Sequence, residues 1–175
     1  MIVEQIWTGN SLRNFNYLLA CPDTGEALAI DPLDYEKCLS KAKKKGWDIT
    51  QILNTHEHGD HTGGNQAMIS ATKAKLLAHE KSNIPGMDIG LKSGDVVRIG
   101  KTVELLSLIR LGTPCLMFVF YQKQINRAYF QVIHYSMQGL VIVITVVIQK
   151  NFTLLSQNNL QSFQTTRWFI PAMII

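Results

Sequence analysis

The sequence predicts an α/β layered domain over its first 108 residues, and three observations carry that expectation. Short apolar runs recur between turn signals. One segment has helical periodicity with both caps written into it. A polar, histidine-rich loop follows a buried-type strand directly, at the strand's C-terminal end.

Taken in order, Ile2 to Trp7 alternates apolar and polar residues, and Phe15 to Ala20 is a short apolar run. Pro22-Asp23-Thr24-Gly25 supplies a turn, Ala27 to Ile30 a further run, and the three together predict a β-meander. Asp34 can cap a helix from Tyr35 to about Lys45, apolar at Cys38, Leu39 and Ala42 and closed by Lys43-Lys44-Lys45-Gly46. That lysine run reads as a solvated helix end, where cations complement the carbonyl dipole. Ile49 to Leu53 has the character of a buried strand, and Gly63-Gly64-Asn65 opens a helix to about Thr72. Lys75 to Ala78, Val96 to Ile99 and Val103 to Leu108 read as strands, with Pro85-Gly86 as a turn.

Composition narrows the functional classes. The mean hydropathy of +0.06 is that of a globular chain, not a membrane protein. Gly139 to Ile148 is an apolar run broken only by Thr145, and it is too short to span a bilayer as a helix. Three cysteines without paired spacing, Cys21, Cys38 and Cys115, argue against a disulfide framework and for a reducing cytosol. The N-terminus lacks the basic start and apolar run of a signal peptide. A monomer is expected, with neither nucleic acid nor membrane as partner. The net charge of +4 is unevenly placed: all 13 acidic residues lie at or before Glu104. From Ile109 onward there are five basic residues (Arg110, Lys123, Arg127, Lys150, Arg167) and no acid. Those cations are sparse and set among Ile, Val, Phe and Gln, unlike the clustered charge of a nucleic-acid-binding tail.

The chemistry lies in His56-Glu57-His58-Gly59-Asp60-His61. On an extended backbone His56 and His58 point the same way. Gly59 is expected to let the chain turn, so that Asp60 and His61 address a second position. Imidazole and carboxylate ligands without thiolates suit Zn, Fe or Mn in a catalytic rather than a structural site. A chance polar loop is the alternative, but burying so many titratable groups without a cation is costly. His79, beside Glu80, reads as a surface or structural histidine. Asp31 either supports the site through hydrogen bonds or caps the turn before Pro32. Cys38 lies on the apolar helix face and is assigned to the core. Cys115 has no basic neighbour that would make it nucleophilic.

H-x-H-x-D-H after a hydrophobic strand resembles the signature of the metallo-β-lactamase superfamily, and Thr55 to Asn65 carries it here. The likeness is strongest to glyoxalase II, the hydroxyacylglutathione hydrolases. It extends to Asn16-Tyr17-Leu18-Leu19 and Ile30-Asp31-Pro32 and covers about residues 1–108. The resemblance implies an αββα layered sandwich, of which this stretch is the N-terminal half. It implies two zinc sites (iron or manganese being possible), with His56 and His58 on the first metal and Asp60 and His61 on the second. The implied reaction is hydrolysis of a glutathione thioester such as S-lactoylglutathione by a metal-bound hydroxide, with Asp60 the catalytic residue that orients it. Lactonases, β-lactamases and persulfide dioxygenases share the cluster and are the alternative activities.

The family pattern breaks after Leu108. It calls for two further histidines and a bridging aspartate, and the chain offers His134 alone and no aspartate there. Its length also leaves no room for the helical domain that holds glutathione in glyoxalase II. A lost base near the codon of Leu108 accounts for the break. Codons for Leu108 through Val119 exist which, regrouped from the last base of the first, encode D-T-P-G-H-T-M-S-H-V, and T-P-G-H-T is the family's next metal-histidine motif. The same shift across Tyr129 to His134 permits L-F-S-G-D-T, with the bridging aspartate. Across Thr165 to Ile175 it permits D-D-T-L-V-Y-P-G-H-D-Y, with the last histidine. Residues 109–175 are therefore expected to be an out-of-frame tail without a family fold. A non-catalytic product is accordingly the third functional alternative.

Overall fold

The computed structural model describes residues 1–109 and the strands Leu116–Gln124, Arg127–Tyr135 and Val141–Gln149, with side chains through Ser107. The elements are β1 (Ile2–Trp7), β2 (Phe15–Ala20), β3 (Glu26–Ile30), α1 (Tyr35–Lys45), β4 (Asp48–Leu53), α2 (Gly59–Thr62), α3 (Asn65–Thr72) and β5 (Lys75–His79), followed by β6 (Ile89–Leu91), β7 (Val96–Ile99), β8 (Val103–Ile109) and the three later strands, β9 to β11.

The expected meander is present, since β1 pairs β2 and β2 pairs β3, both antiparallel. The chain then changes mode. β3 to β4 and β4 to β5 are parallel steps, crossed by α1 and by α2–α3 respectively, and β6 adds a further parallel strand. The first sheet thus runs β1-β2-β3-β4-β5-β6, and the second runs β11-β10-β9-β8-β7.

The central strands of the first sheet are buried on both faces, which explains why β2 and β3 read as largely apolar runs rather than alternating ones. On one face Leu18, Ala20, Ala27, Ala29, Ile52 and Leu76 pack with Cys38 and Ala42 of α1 and Met68 of α3. On the other, Leu19, Leu28, Ile30, Leu53 and Leu77 meet Val97, Ile99, Val103 and Leu105 of the second sheet. Helices, sheet and second sheet form successive layers, the mixed α/β arrangement expected. Cys38 is fully buried, as its helical position predicts, and burial pushes its thiol up to about 12.

Helix α1 begins and ends as its residues dictate. The Asp34 carboxylate accepts from the Lys37 backbone N–H at 3.1 Å. At the other end Gly46 adopts φ 69° and its N–H returns to Lys43 and Ala42. Lys41 and Lys45 both pair with Glu4, at 3.1 and 2.8 Å. A Cβ at Gly46 would meet no atom within 4 Å, so Gly46→Ala isolates the conformational cost. It should lower the unfolding free energy by about 1–2 kcal/mol, read as a shift in urea midpoint at constant slope.

Besides the strands after β8, two elements were not anticipated. β6 is three residues long with a central glycine, and α2 is a single turn, both too short for a periodic signal. After β8, β9 to β11 continue as antiparallel neighbours, the apolar run of 139–148 falling largely on β11. The third shifted motif, at 165–175, lies outside the described residues.

Candidate metal centre

The candidate site sits where β3 and β4 end. In a parallel sheet with helical crossovers that edge gathers the loops leading into the helices, and ligands bind there. β3 delivers Asp31, 4% exposed and at φ 45°, a left-handed conformation that costs a non-glycine residue energy and so requires firm support. The support is visible. The Asp31 N–H donates to the Leu53 carbonyl, and its own carbonyl accepts from the buried Asn16 side chain.

β4 delivers Asn54, Thr55 and His56, all buried. Asp31 Oδ1 accepts from the Thr55 backbone N–H at 2.8 Å and from Asn54 Nδ2 at 3.4 Å. Asp31 Oδ2 accepts from Thr55 Oγ1 at 2.5 Å and lies 3.1 Å from His61 Nδ1. Of the two readings of Asp31 weighed from sequence, hydrogen-bonded support of the histidine loop is the one observed.

These contacts define the ring tautomers. A hydroxyl has one proton, and that of Thr55 goes to Asp31. Thr55 Oγ1 can therefore only accept from His56 Nδ1, 3.0 Å away, so this nitrogen carries hydrogen. His61 Nδ1 likewise donates to Asp31. Both rings turn Nε2 away from their supports, the arrangement by which carboxylates and hydroxyls orient metal-binding histidines.

The structure brings all four predicted residues together. The His56 ring centroid lies 4.0 Å from that of His61 and 4.7 Å from that of His58. Asp60 Oδ2 lies 3.4 Å from His61 Nε2. His56 and His61 are buried, Asp60 is half-buried, and His58 is exposed at the rim. The chain does turn at Gly59. That residue opens the turn of α2 without a positive φ, so the chain bends by starting a helix rather than by glycine's special freedom.

Electrostatics follow from the contacts. Burial drives the His56 pKa below its usual value, assisted by the His61 charge. Burial acts the same way on His61, but the Asp31 hydrogen bond and charge outweigh it and hold that ring above its ordinary value. The Asn14 side chain donates to Asp60, and with the nearby His61 it holds the Asp60 carboxyl below the usual range despite partial burial. The cluster thus offers imidazole nitrogens and an ionised carboxylate in one place, a donor set that fits a divalent cation. Grouping by distance alone places Asp31 with His56 and His61, their ligand atoms within 4.8 Å of one another. Asp31 is already saturated by Thr55, Asn54 and His61, so its role is to hold the donors.

Sequence reasoning passed over Asn14 and Asn54. Asn54 is fully buried, accepts from Asn65 Nδ2 at 2.6 Å and donates to the His61 carbonyl at 3.3 Å. Its signal was a lone amide between an apolar strand and the first histidine. His79 has the structural role expected, accepting at Nδ1 from the Lys81 N–H at 3.2 Å. A cleft lined by Glu26, Asp48, Lys75 and Arg98 among others lies at the opposite end of the strands. Chemistry rather than concavity marks the site.

Stacked sheets with a histidine–aspartate loop at the end of a parallel strand define a metal-binding α/β sandwich. A profile of the metallo-beta-lactamase superfamily matches residues 20–120. The chain belongs to this superfamily. It is 70% identical over 118 residues to a hydroxyacylglutathione hydrolase of Polaromonas sp., covering 66% of this chain and 45% of that protein. It is 64% identical over 107 residues to the Nitrosococcus oceani hydroxyacylglutathione hydrolase, covering 60% and 41%. The chain thus spans less than half the length of these relatives. Among solved structures, a metallo-beta-lactamase of Staphylococcus aureus superposes with TM-score 0.61 at 26% identity, over 70% of this chain and 39% of that one. ETHE1 of Myxococcus xanthus gives 0.62 at 23% identity, over 69% and 54%, a likeness of fold alone.

Proposed function

We propose that this chain carries half of the site of a hydroxyacylglutathione hydrolase, a metal-dependent enzyme that cleaves glutathione thioesters such as S-lactoylglutathione. The observation that supports this most is the orientation of His56 and His61. Asp31 and Thr55 engage their Nδ1 atoms, so Nε2 is the atom that each ring would present to a cation. His56 and His58 would hold one zinc ion, and Asp60 and His61 would contribute to a second. Bound there, zinc would polarise the thioester carbonyl and lower the pKa of water. Asp60, held ionised by Asn14, would accept a hydrogen bond from the attacking water and orient it. A glutathione thiol leaves with a pKa of about 8.5, so the reaction needs little help from an acid. The free, buried Cys21 and Cys38 suit a reducing cytosol, where the chain would act as a monomer on a small-molecule thioester.

A second reading concerns this chain's competence. The residues after Glu104 include no acid, and His134 is the sole later histidine among them, so they do not supply the family's remaining ligands. We infer that residues from about Ile109 onward are read out of frame and that the chain binds metal without effective turnover. These matches to known proteins stop short of the chain's full length. The profile ends at residue 120, and the Polaromonas alignment spans 118 of the 175 residues.

Metal analysis of the purified chain with an assay on S-lactoylglutathione tests both readings. We expect about one zinc per chain, lost in the His56→Ala/His61→Ala double variant, with turnover at least about a thousandfold below a complete binuclear enzyme. Absence of metal uptake by the native chain refutes the site, and full turnover with two zinc ions refutes the impaired reading. Sequencing the gene checks the tail, since an intact frame at Leu108 contradicts the base loss.

A further inference from the structure

We propose that Asn14 is a positioning residue for Asp60, fixing which carboxylate oxygen can meet a cation; this rests on the metal-site reading above. Asn14 is 7% exposed and lies 46 residues from its partner in sequence. Its Nδ2 donates to the Asp60 backbone carbonyl at 2.8 Å and to Asp60 Oδ2 at 3.0 Å. An amide nitrogen has two hydrogens, and these contacts occupy both. The same Oδ2 lies 3.4 Å from His61 Nε2. The carboxylate is thereby prevented from swinging about its Cβ–Cγ bond, and its two oxygens become chemically distinct. Asp60 would meet a cation through one oxygen, without the freedom to chelate with both.

The β1–β2 loop is built to present this amide. The Asn14 carbonyl accepts from the Thr8 N–H at 3.1 Å and from Thr8 Oγ1 at 2.8 Å. The Asn14 N–H donates to Asn10 Oδ1 at 3.0 Å. Lys37 Nζ reaches across from α1 to the Thr8 carbonyl at 2.7 Å. Beside Asn14, Arg13 is held at φ 57°, a conformation that persists in a non-glycine residue only where its surroundings over-determine it. The backbone of Asn14 is therefore held by its own loop, leaving the side chain to act on the metal loop.

Stapling of two loops is the competing role, and a comparison of variants separates them. Cobalt(II) would be titrated into the full chain, with its visible absorption and chelator competition as readouts. Asn14→Ala should weaken cobalt about 10–100-fold and alter the absorption bands, as loss of a ligand's orienting partner does. Asn10→Ala loosens the loop without touching Asp60 and should leave both within about twofold of the native chain. Equal effects of the two variants, or native affinity and spectrum in Asn14→Ala, overturn the proposal. If Asn14→Ala does not fold, amide exchange in the metal-free native chain decides. The Asn14 side-chain protons should exchange slowly and move on Asp60→Ala, and unaffected resonances overturn the proposal. A native chain that takes up no cobalt instead refutes the metal-site reading, while the amide measurement still judges the Asn14–Asp60 contact.

Discussion

Asp31→Ala is expected to lower the unfolding free energy by about 3–5 kcal/mol, because several buried donors lose their acceptor at once. The carboxylate is almost wholly buried and serves His61, Asn54 and both the N–H and the hydroxyl of Thr55. Its loss leaves those donors facing a void, and an unmade buried hydrogen bond costs about 1–3 kcal/mol each. Against a typical domain stability of about 5–15 kcal/mol, such a change is a large share of the whole. The site should suffer separately. With Nδ1 unsupported, the rings of His56 and His61 lose their fixed orientation, and zinc affinity should fall about 10–100-fold in whatever fraction stays folded. Urea unfolding gives the first quantity and chelator competition the second. A loss below about 1 kcal/mol would mean that Asp31 does not organise this edge of the sheet.

Gly64→Ala should be comparably damaging for a purely steric reason. Gly64 has φ −90°, which any residue adopts. A Cβ there would lie 1.9 Å from the Pro32 carbonyl oxygen and 2.8 Å from that of Leu33. Both obstacles are backbone, so no side chain can rotate aside. Either α3 or the turn after Asp31 must move. We expect a loss of about 3 kcal/mol or more, at the upper end for overpacked interiors. Gly59→Ala is the matched control, since a Cβ there meets nothing within 4 Å. That variant should fall within about 0.5 kcal/mol of the native chain. Thermal melts of the two proteins side by side check the contrast, and similar melting temperatures would show that the Pro32 turn is free to yield.

Much of the first half follows from local chemistry. Asp34 and Gly46 bracket α1 because a carboxylate can satisfy the first free N–H groups and glycine can adopt the left-handed terminus. The apolar runs of β2 and β3 mark strands covered on both faces. The cluster from His56 to His61 is recognisable because six consecutive residues carry the donors, with no long-range folding needed to collect them.

What stayed hidden depends on residues distant in sequence. The parallel pairing of β3, β4 and β5 depends on crossovers whose direction no single strand records. Burial of Asn54 and the choice of Asp31 as anchor arise only when the ends of β3 and β4 lie side by side. Asn14 meets Asp60 because the β1–β2 loop folds over α2, and Gly64 is required because its backbone packs on Pro32. Order along the chain therefore specified which groups could bind a cation and which segments could be helix or strand. Folding settled which nitrogen of each ring faces the site and which oxygen of Asp60 is held. Those choices are made by hydrogen bonds between elements up to 46 residues apart, a distance over which local periodicity carries no information.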